Sequence, residues 1–176
     1  MRPEDIKAIS KVLVRSKPAV RRVMLLSGSD EEKELVWKLW PQALMTDMSE
    51  AEWNLYGTHP AAWIGIDLVM VCNTFMCSKD PGLWLDNIAQ SSRYVLIQDL
   101  AIAKRRQDRH LAPETGDFAR YSVSSHGIMG ETDPGHLVYD LSTSGYRVID
   151  CESYRIDDGV GLKFAALLDL SRKTRK

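Results

Sequence analysis

Apolar and polar positions repeat along this chain with two different periods, and each change of period marks an element. Residues 3–16 put Ile6, Ile9 and Leu13 on one helical face, with Pro3 at the start and Glu4 and Asp5 in the first turn. Pro18 ends that helix. The run Arg21-Arg22-Val23-Met24-Leu25-Leu26 closes on Ser27-Gly28-Ser29-Asp30. It predicts a buried strand at 22–26, a turn, and a cap for the next helix at Ser29 or Asp30. That helix, Glu31 to Trp40, turns Leu35, Val36, Leu39 and Trp40 inward and stops at Pro41. A short strand follows at 43–47. Residues 48–65 hold Trp53, Trp63, Gly57, Pro60 and Gly65 with no clear period.

Ile66 to Cys72 is the strongest strand in the sequence, continuous, apolar and branched, as a strand covered on both faces should be. After Asp80-Pro81-Gly82 the pattern predicts an amphipathic helix over Leu83–Ala89 and another buried strand at 93–98. Strand and helix alternating with short connections specify a parallel sheet with right-handed crossovers. Residues 101–134 read as a long polar insertion, and His136–Ser142 as a short helix. The chain then changes character: 146–156 and 162–170 predict two strands joined by a hairpin around Asp157-Asp158-Gly159-Val160-Gly161. In the second of them Leu162, Phe164, Ala166, Leu168 and Leu170 alternate with period two. A parallel run that ends in an antiparallel pair is not what a plain dinucleotide-binding domain predicts.

At 176 residues, 44% of them hydrophobic and 27% charged, the chain suits one domain with a substantial core, residues 1–176. Lys plus Arg number 23 against 24 for Asp plus Glu, so no global field draws nucleic acid or a membrane surface. Cys72, Cys77 and Cys151 are an odd set without close pairs, which fits free thiols in a reducing compartment. Behind Met1-Arg2-Pro3-Glu4-Asp5 there is no long apolar run, so neither a secretory leader nor a membrane span is expected, and the expected location is cytoplasmic.

Asp67 to Pro81 (DLVMVCNTFMCSKDP) resembles the fourth strand and following loop of class I S-adenosylmethionine-dependent methyltransferases. The strand-opening acid falls on Asp67 and the closing Asp-Pro on Asp80-Pro81, while Met76-Cys77 replaces the acid-histidine pair often found there. Leu83 to Asp99 resembles the next helix and strand, with Ser91-Ser92-Arg93 in place of the usual Pro-Gly-Gly turn. The resemblance covers roughly residues 20–170. It implies a three-layer Rossmann-like α/β sandwich whose mostly parallel sheet ends in an antiparallel hairpin. Residues 1–18 supply an N-terminal helix and 101–134 an insertion on the substrate side. Only residues 48–66 separate the second strand from the fourth, so the third is expected to be reduced or missing.

The resemblance also implies S-adenosylmethionine as cofactor, with Ser27, Gly28, Ser29, Asp47 and Asn73 on its binding side. The glycine-rich turn of the family, typically GxGxG, lets backbone approach the ligand. Here Ser27, Ser29 and Glu31 stand on the glycine positions, and Leu25 stands where the first strand usually carries an acid. Asp47 has two readings, acceptor of ribose hydroxyls or cap of the next turn. Trp53 and Trp63 stack on a base or belong to the core. His126, in Ser124-Ser125-His126-Gly127, is either a general base in the insertion or a loop histidine without chemistry. Lys104 to Arg109 grips an acidic group or is a solvated loop. Neither His59, His110, His126 nor His136 pairs at a zinc-ligand spacing, so no metal is expected. Cys72 and Cys77 read as small buried hydrophobes.

Two functions follow. One is a methyltransferase acting on a small or saccharide-like acceptor. The other is a methyltransferase fold without catalysis, serving as a binding or assembly module for a small molecule or a protein partner.

Overall fold

The computed structural model describes residues 1–49, 65–73, 81–102, 121–124, 127–130, 146–155 and 162–171. In chain order the elements are α1 (Pro3–Ser16), β1 (Arg22–Leu26), α2 (Asp30–Leu39), β2 (Leu44–Met48), β3 (Ile66–Cys72), α3 (Pro81–Ala89), β4 (Ser92–Ile102), β5 (Tyr121–Ser124), β6 (Gly127–Gly130), β7 (Arg147–Arg155) and β8 (Leu162–Asp169). Six strands form one sheet in the order β2-β1-β3-β4-β8-β7. The pairs β1–β2, β1–β3 and β3–β4 are parallel. The pairs β4–β8 and β7–β8 are antiparallel. This is the expected mixed α/β sheet, parallel until its last two strands.

Each face of the sheet has its own core. On one, Met24, Leu26, Val69, Val71, Val95, Ile97, Phe164, Ala166 and Leu168 pack with Leu85 and Ile88 of α3. On the other, Val23, Leu25, Leu68, Met70, Leu96, Ala165 and Leu167 meet Ile9, Val12 and Leu13 of α1 and Leu35 and Val36 of α2. The sandwich is therefore three-layered. It also corrects the period-two reading of β8: Ala165 and Leu167 are as buried as Phe164 and Ala166, because α1 covers their face. Leu39 and Trp40, expected inward, are only partly buried.

The ends of the elements follow local chemistry. Ser29 caps α2 and accepts the N–H of Glu32, while Glu32 accepts the N–H of Ser29. Asp67 at the start of β3 accepts the N–H groups of Arg21 at 2.7 Å and Arg22 at 3.0 Å, so the strand-opening acid fixes the register of β1 against β3. An exposed ion-pair cluster ties α1 to β7: Lys11 meets Glu152 at 2.6 Å, and Arg15 bridges Asp150 at 2.7 Å and Glu152 at 2.9 Å.

The region expected to be a long polar insertion contains a strand extension and a hairpin. β4 runs on to Ile102, and β5 pairs antiparallel with β6 in a second, two-stranded sheet. Its strands, Tyr121-Ser122-Val123-Ser124 and Gly127-Ile128-Met129-Gly130, are four residues each, too short for a period to declare itself. The expected helix at 136–142 and the question of a third family strand fall outside the described residues. Among the described residues nothing pairs with the outer edge of β2. No helix among them is long and apolar enough to cross a membrane.

Candidate cofactor cleft

Open α/β sheets bind ligands beyond the carboxyl ends of their strands, where neighbouring strands lead to opposite sides. In this sheet β1 lies between β2 and β3, so that place is the turn Ser27-Gly28-Ser29 with the ends of β2 and β3 beside it. Leu26 pairs with Met48 on one side and Val71 on the other. Asp47 and Asn73 are therefore brought to the same edge as the turn.

Ser27 has φ of 52°, in the left-handed region. That conformation suits glycine and costs other residues roughly 1–2 kcal/mol. A serine holds at this turn a backbone shape that glycine adopts freely. Gly28 is required for a different reason. A Cβ there would lie 2.6 Å from Leu25 Cδ1 and 2.7 Å from Leu25 Cβ. The hydrophobic Leu25 fills the space under the turn.

The donors of the turn are consumed inside the protein. Ser27 N–H bonds Met48 O at 2.7 Å, Gly28 N–H bonds Asp47 Oδ1 at 2.9 Å and Ser29 N–H bonds Glu32 at 2.7 Å. Asp47 is engaged on its other oxygen as well, by Lys33 Nζ at 2.8 Å. Burial pushes its pKa up, but the Lys33 ammonium and the Gly28 N–H outweigh this and hold it below the usual carboxylate range. Asp30, Glu31 and Glu32 crowd the first turn of α2. The methionyl carboxylate of S-adenosylmethionine would thus meet an acidic helix start where the N–H groups of Ser29 and Glu32 are already bonded, and that half of the ligand fits poorly. Asp47, one reading of which is an acceptor for ribose hydroxyls, has a protein partner on each oxygen.

Asn73 stands at the end of β3 with φ of 57°, donating its N–H to Gln98 O at 2.7 Å. Its Oδ1 accepts from Lys163 Nζ at 3.0 Å, and this contact opens onto a buried network that the sequence did not announce. Lys163 also bonds both oxygens of Asp5, at 3.1 and 3.0 Å. Tyr154 donates its hydroxyl to Asp5 at 2.6 Å, and Gln98 Nε2 donates to Tyr154 at 2.8 Å. Asp5 and Lys163 are 1% and 8% exposed. Burial, then the hydrogen bond to Asp5, drives the Tyr154 phenol far above its usual range, so it remains a neutral donor. The network pins α1 to β4, β7 and β8 directly beneath Asn73.

Lys33, Asp5, Lys163, Tyr154 and Gln98 were all missed by pattern reading. Lys33 carried one faint signal, the single base after three acids one turn beyond Ser29. His126, Lys104 to Arg109, Trp53 and Trp63 lie outside the described residues. Among the described residues no three His, Cys, Asp or Glu side chains gather as metal ligands would.

Among the described residues, the thiols Cys72 and Cys151 are held in their protonated form. Burial, reinforced by Glu32, Asp99 and Asp5, pushes Cys72 well above its usual range, and burial with Asp150 and Glu152 pushes Cys151 up to about 11. Both should resist iodoacetamide at pH 8 in the folded protein and alkylate after unfolding, read by peptide mass spectrometry. Rapid labelling of either in the native state would contradict the packing described.

No family model matches the sequence, and no curated protein matches it. Solved structures do. Burkholderia thailandensis 1,6-didemethyltoxoflavin-N1-methyltransferase, with 1,6-didemethyltoxoflavin and S-adenosylhomocysteine bound, superposes with a TM-score of 0.60 at 12% identity over 97% of this chain and 79% of that one. The N-terminal domain of EvdMO1 with S-adenosylhomocysteine bound gives 0.59 at 10% identity, over 96% and 82%. An S-adenosylmethionine-dependent methyltransferase from Clostridium acetobutylicum gives 0.58 at 8% identity, over 96% and 92%. The chain therefore has the fold of class I S-adenosylmethionine-dependent methyltransferases.

Proposed function

We propose that this protein is a methyltransferase-fold module that binds S-adenosylmethionine poorly and works through binding or assembly, with a small molecule or a protein as partner. The observation that carries the reading is the turn after β1, whose N–H groups and neighbouring Asp47 are satisfied from within. The reading includes a cytoplasmic location, where the free thiols Cys72 and Cys151 stay reduced. The basic run Lys104 to Arg109 is its candidate grip for an acidic group on the partner.

Calorimetric titration with S-adenosylmethionine and S-adenosylhomocysteine tests it. The expected dissociation constant is weaker than about 100 μM, or roughly 5.5 kcal/mol of binding free energy. Saturable binding in the low micromolar range would overturn the reading. It would favour the second one, a methyltransferase for a small or saccharide-like acceptor. Asp47 supports that alternative, because it stands at the end of β2 where a ribose acceptor belongs. In it His126 is the candidate base.

A further inference from the structure

The weak point of the cleft is a single side chain. Lys33 sits one turn into α2, its N–H bonded to Ser29 O at 3.1 Å, so the helix fixes where its side chain starts. The ammonium reaches across to β2, 2.8 Å from Asp47 Oδ2, and lies 4.0 Å from Asp30 Oδ1. Gly28 N–H takes the other Asp47 oxygen at 2.9 Å. A vicinal diol offers a carboxylate two donors, and here two donors from the protein already hold it. They are unequal, though. Gly28 N–H belongs to a turn locked by Leu25 and Met48, whereas Lys33 is a flexible chain. Its side chain is 27% exposed and that of Asp47 38%, so a ligand can reach the pair and compete for it.

We propose that Lys33 is a latch on Asp47 that sets the affinity of this cleft for ribonucleosides. The inference deepens the reading above and rests on it, since it names what closes the ribose side of the same cleft. The latch opens when a ribose diol displaces the ammonium from Asp47 Oδ2. Lys33 then turns to Asp30 and solvent, and no bond is made or broken beyond hydrogen bonds. Because the pair is exposed, its opposition is of the order of an ordinary surface ion pair, which limits the effect to a few-fold.

Adenosine is the probe, because it carries the diol without the carboxylate that the acidic turn repels. Wild type, Lys33→Ala and Lys33→Ala/Asp47→Asn would be titrated with adenosine by calorimetry. Lys33→Ala should bind about three- to fivefold more tightly, the worth of a surface ion pair, and the double variant should lose the gain. A second measurement needs no ligand: the Asp47 carboxyl carbon, followed by NMR against pH, should titrate higher in Lys33→Ala than in wild type. Equal or weaker adenosine binding by folded Lys33→Ala overturns the latch, and so does an absence of binding by both proteins at millimolar adenosine. An unchanged Asp47 titration overturns it too. Tight S-adenosylmethionine binding by wild type would instead remove the functional reading, and leave the latch standing if Lys33→Ala still gained.

Discussion

Lys163→Met should cost about 3–5 kcal/mol of stability, the usual loss when one partner of a buried ion pair is removed. Asp5 would keep the Tyr154 hydroxyl and the Arg2 N–H, but its charge would remain 1% exposed without a counter-ion. Asp5→Ala should cost a similar amount, by stranding the ammonium beside Asn73 alone. Removing both charges at once, Asp5→Leu with Lys163→Met, should cost less than either single change, because apolar replacement of a whole buried pair is often neutral. Urea unfolding at pH 7 measures all three. Single variants that each lose under about 1 kcal/mol would show that the pair is solvated in solution. The double variant also separates stability from the shape of the cleft. Asn73 loses its Lys163 contact there while the helix layer keeps its packing.

Gly28→Ala should destabilise the protein by about 1–3 kcal/mol, the range for inserting a methyl into a packed site. The near contact is not only the movable end of Leu25 but its Cβ, at 2.7 Å, so the backbone of the turn must shift. That shift would loosen the Gly28 N–H bond to Asp47 as well. Pairing the change with Leu25→Ala should relieve the overlap. The double variant should then cost measurably less than the two single losses added together. Additive losses in the same unfolding experiment would mean that Leu25 does not hold the turn.

The strands were legible because burial on two faces writes itself as continuous apolar runs. Ile66–Cys72 was placed at its observed limits, β1 likewise, and β2 within one residue. The terminal antiparallel pair was legible from the change of period before it. Side-chain chemistry was much less so. Ser27, Gly28, Ser29, Asp47 and Asn73 lie at one edge of the sheet, yet two of the partners that hold them, Lys33 and Lys163, are residues that no local pattern singles out. Gly28 stands on a variable position of the turn it resembles, and only the packing of Leu25 shows why it is glycine. Lys163 interrupts an apolar strand, which hints at a partner, but Asp5 is 158 positions away and nothing in either segment names the other. The hairpin of β5 and β6 was missed because strands of four residues are too short for the alternation of Tyr121 and Val123 with Ser122 and Ser124 to stand out.

The clamp between α1 and the last strands has a consequence in time. α1 is synthesised first, but the face carrying Ile9, Val12 and Leu13 finds part of its cover in Ala165 and Leu167 of β8. At about 5–20 residues per second, the 158 residues from Asp5 to Lys163 take roughly 8–30 s to be made. Through that interval Asp5 has no counter-ion from β8, and Arg15 and Lys11 wait for Asp150 and Glu152. The sheet can begin from β1 and β3, and β1, β3 and α2 can cover part of the first helix early, but the rest of its cover is made last. Until β7 and β8 are made, that part of the apolar face of α1 lacks the strands that cover it.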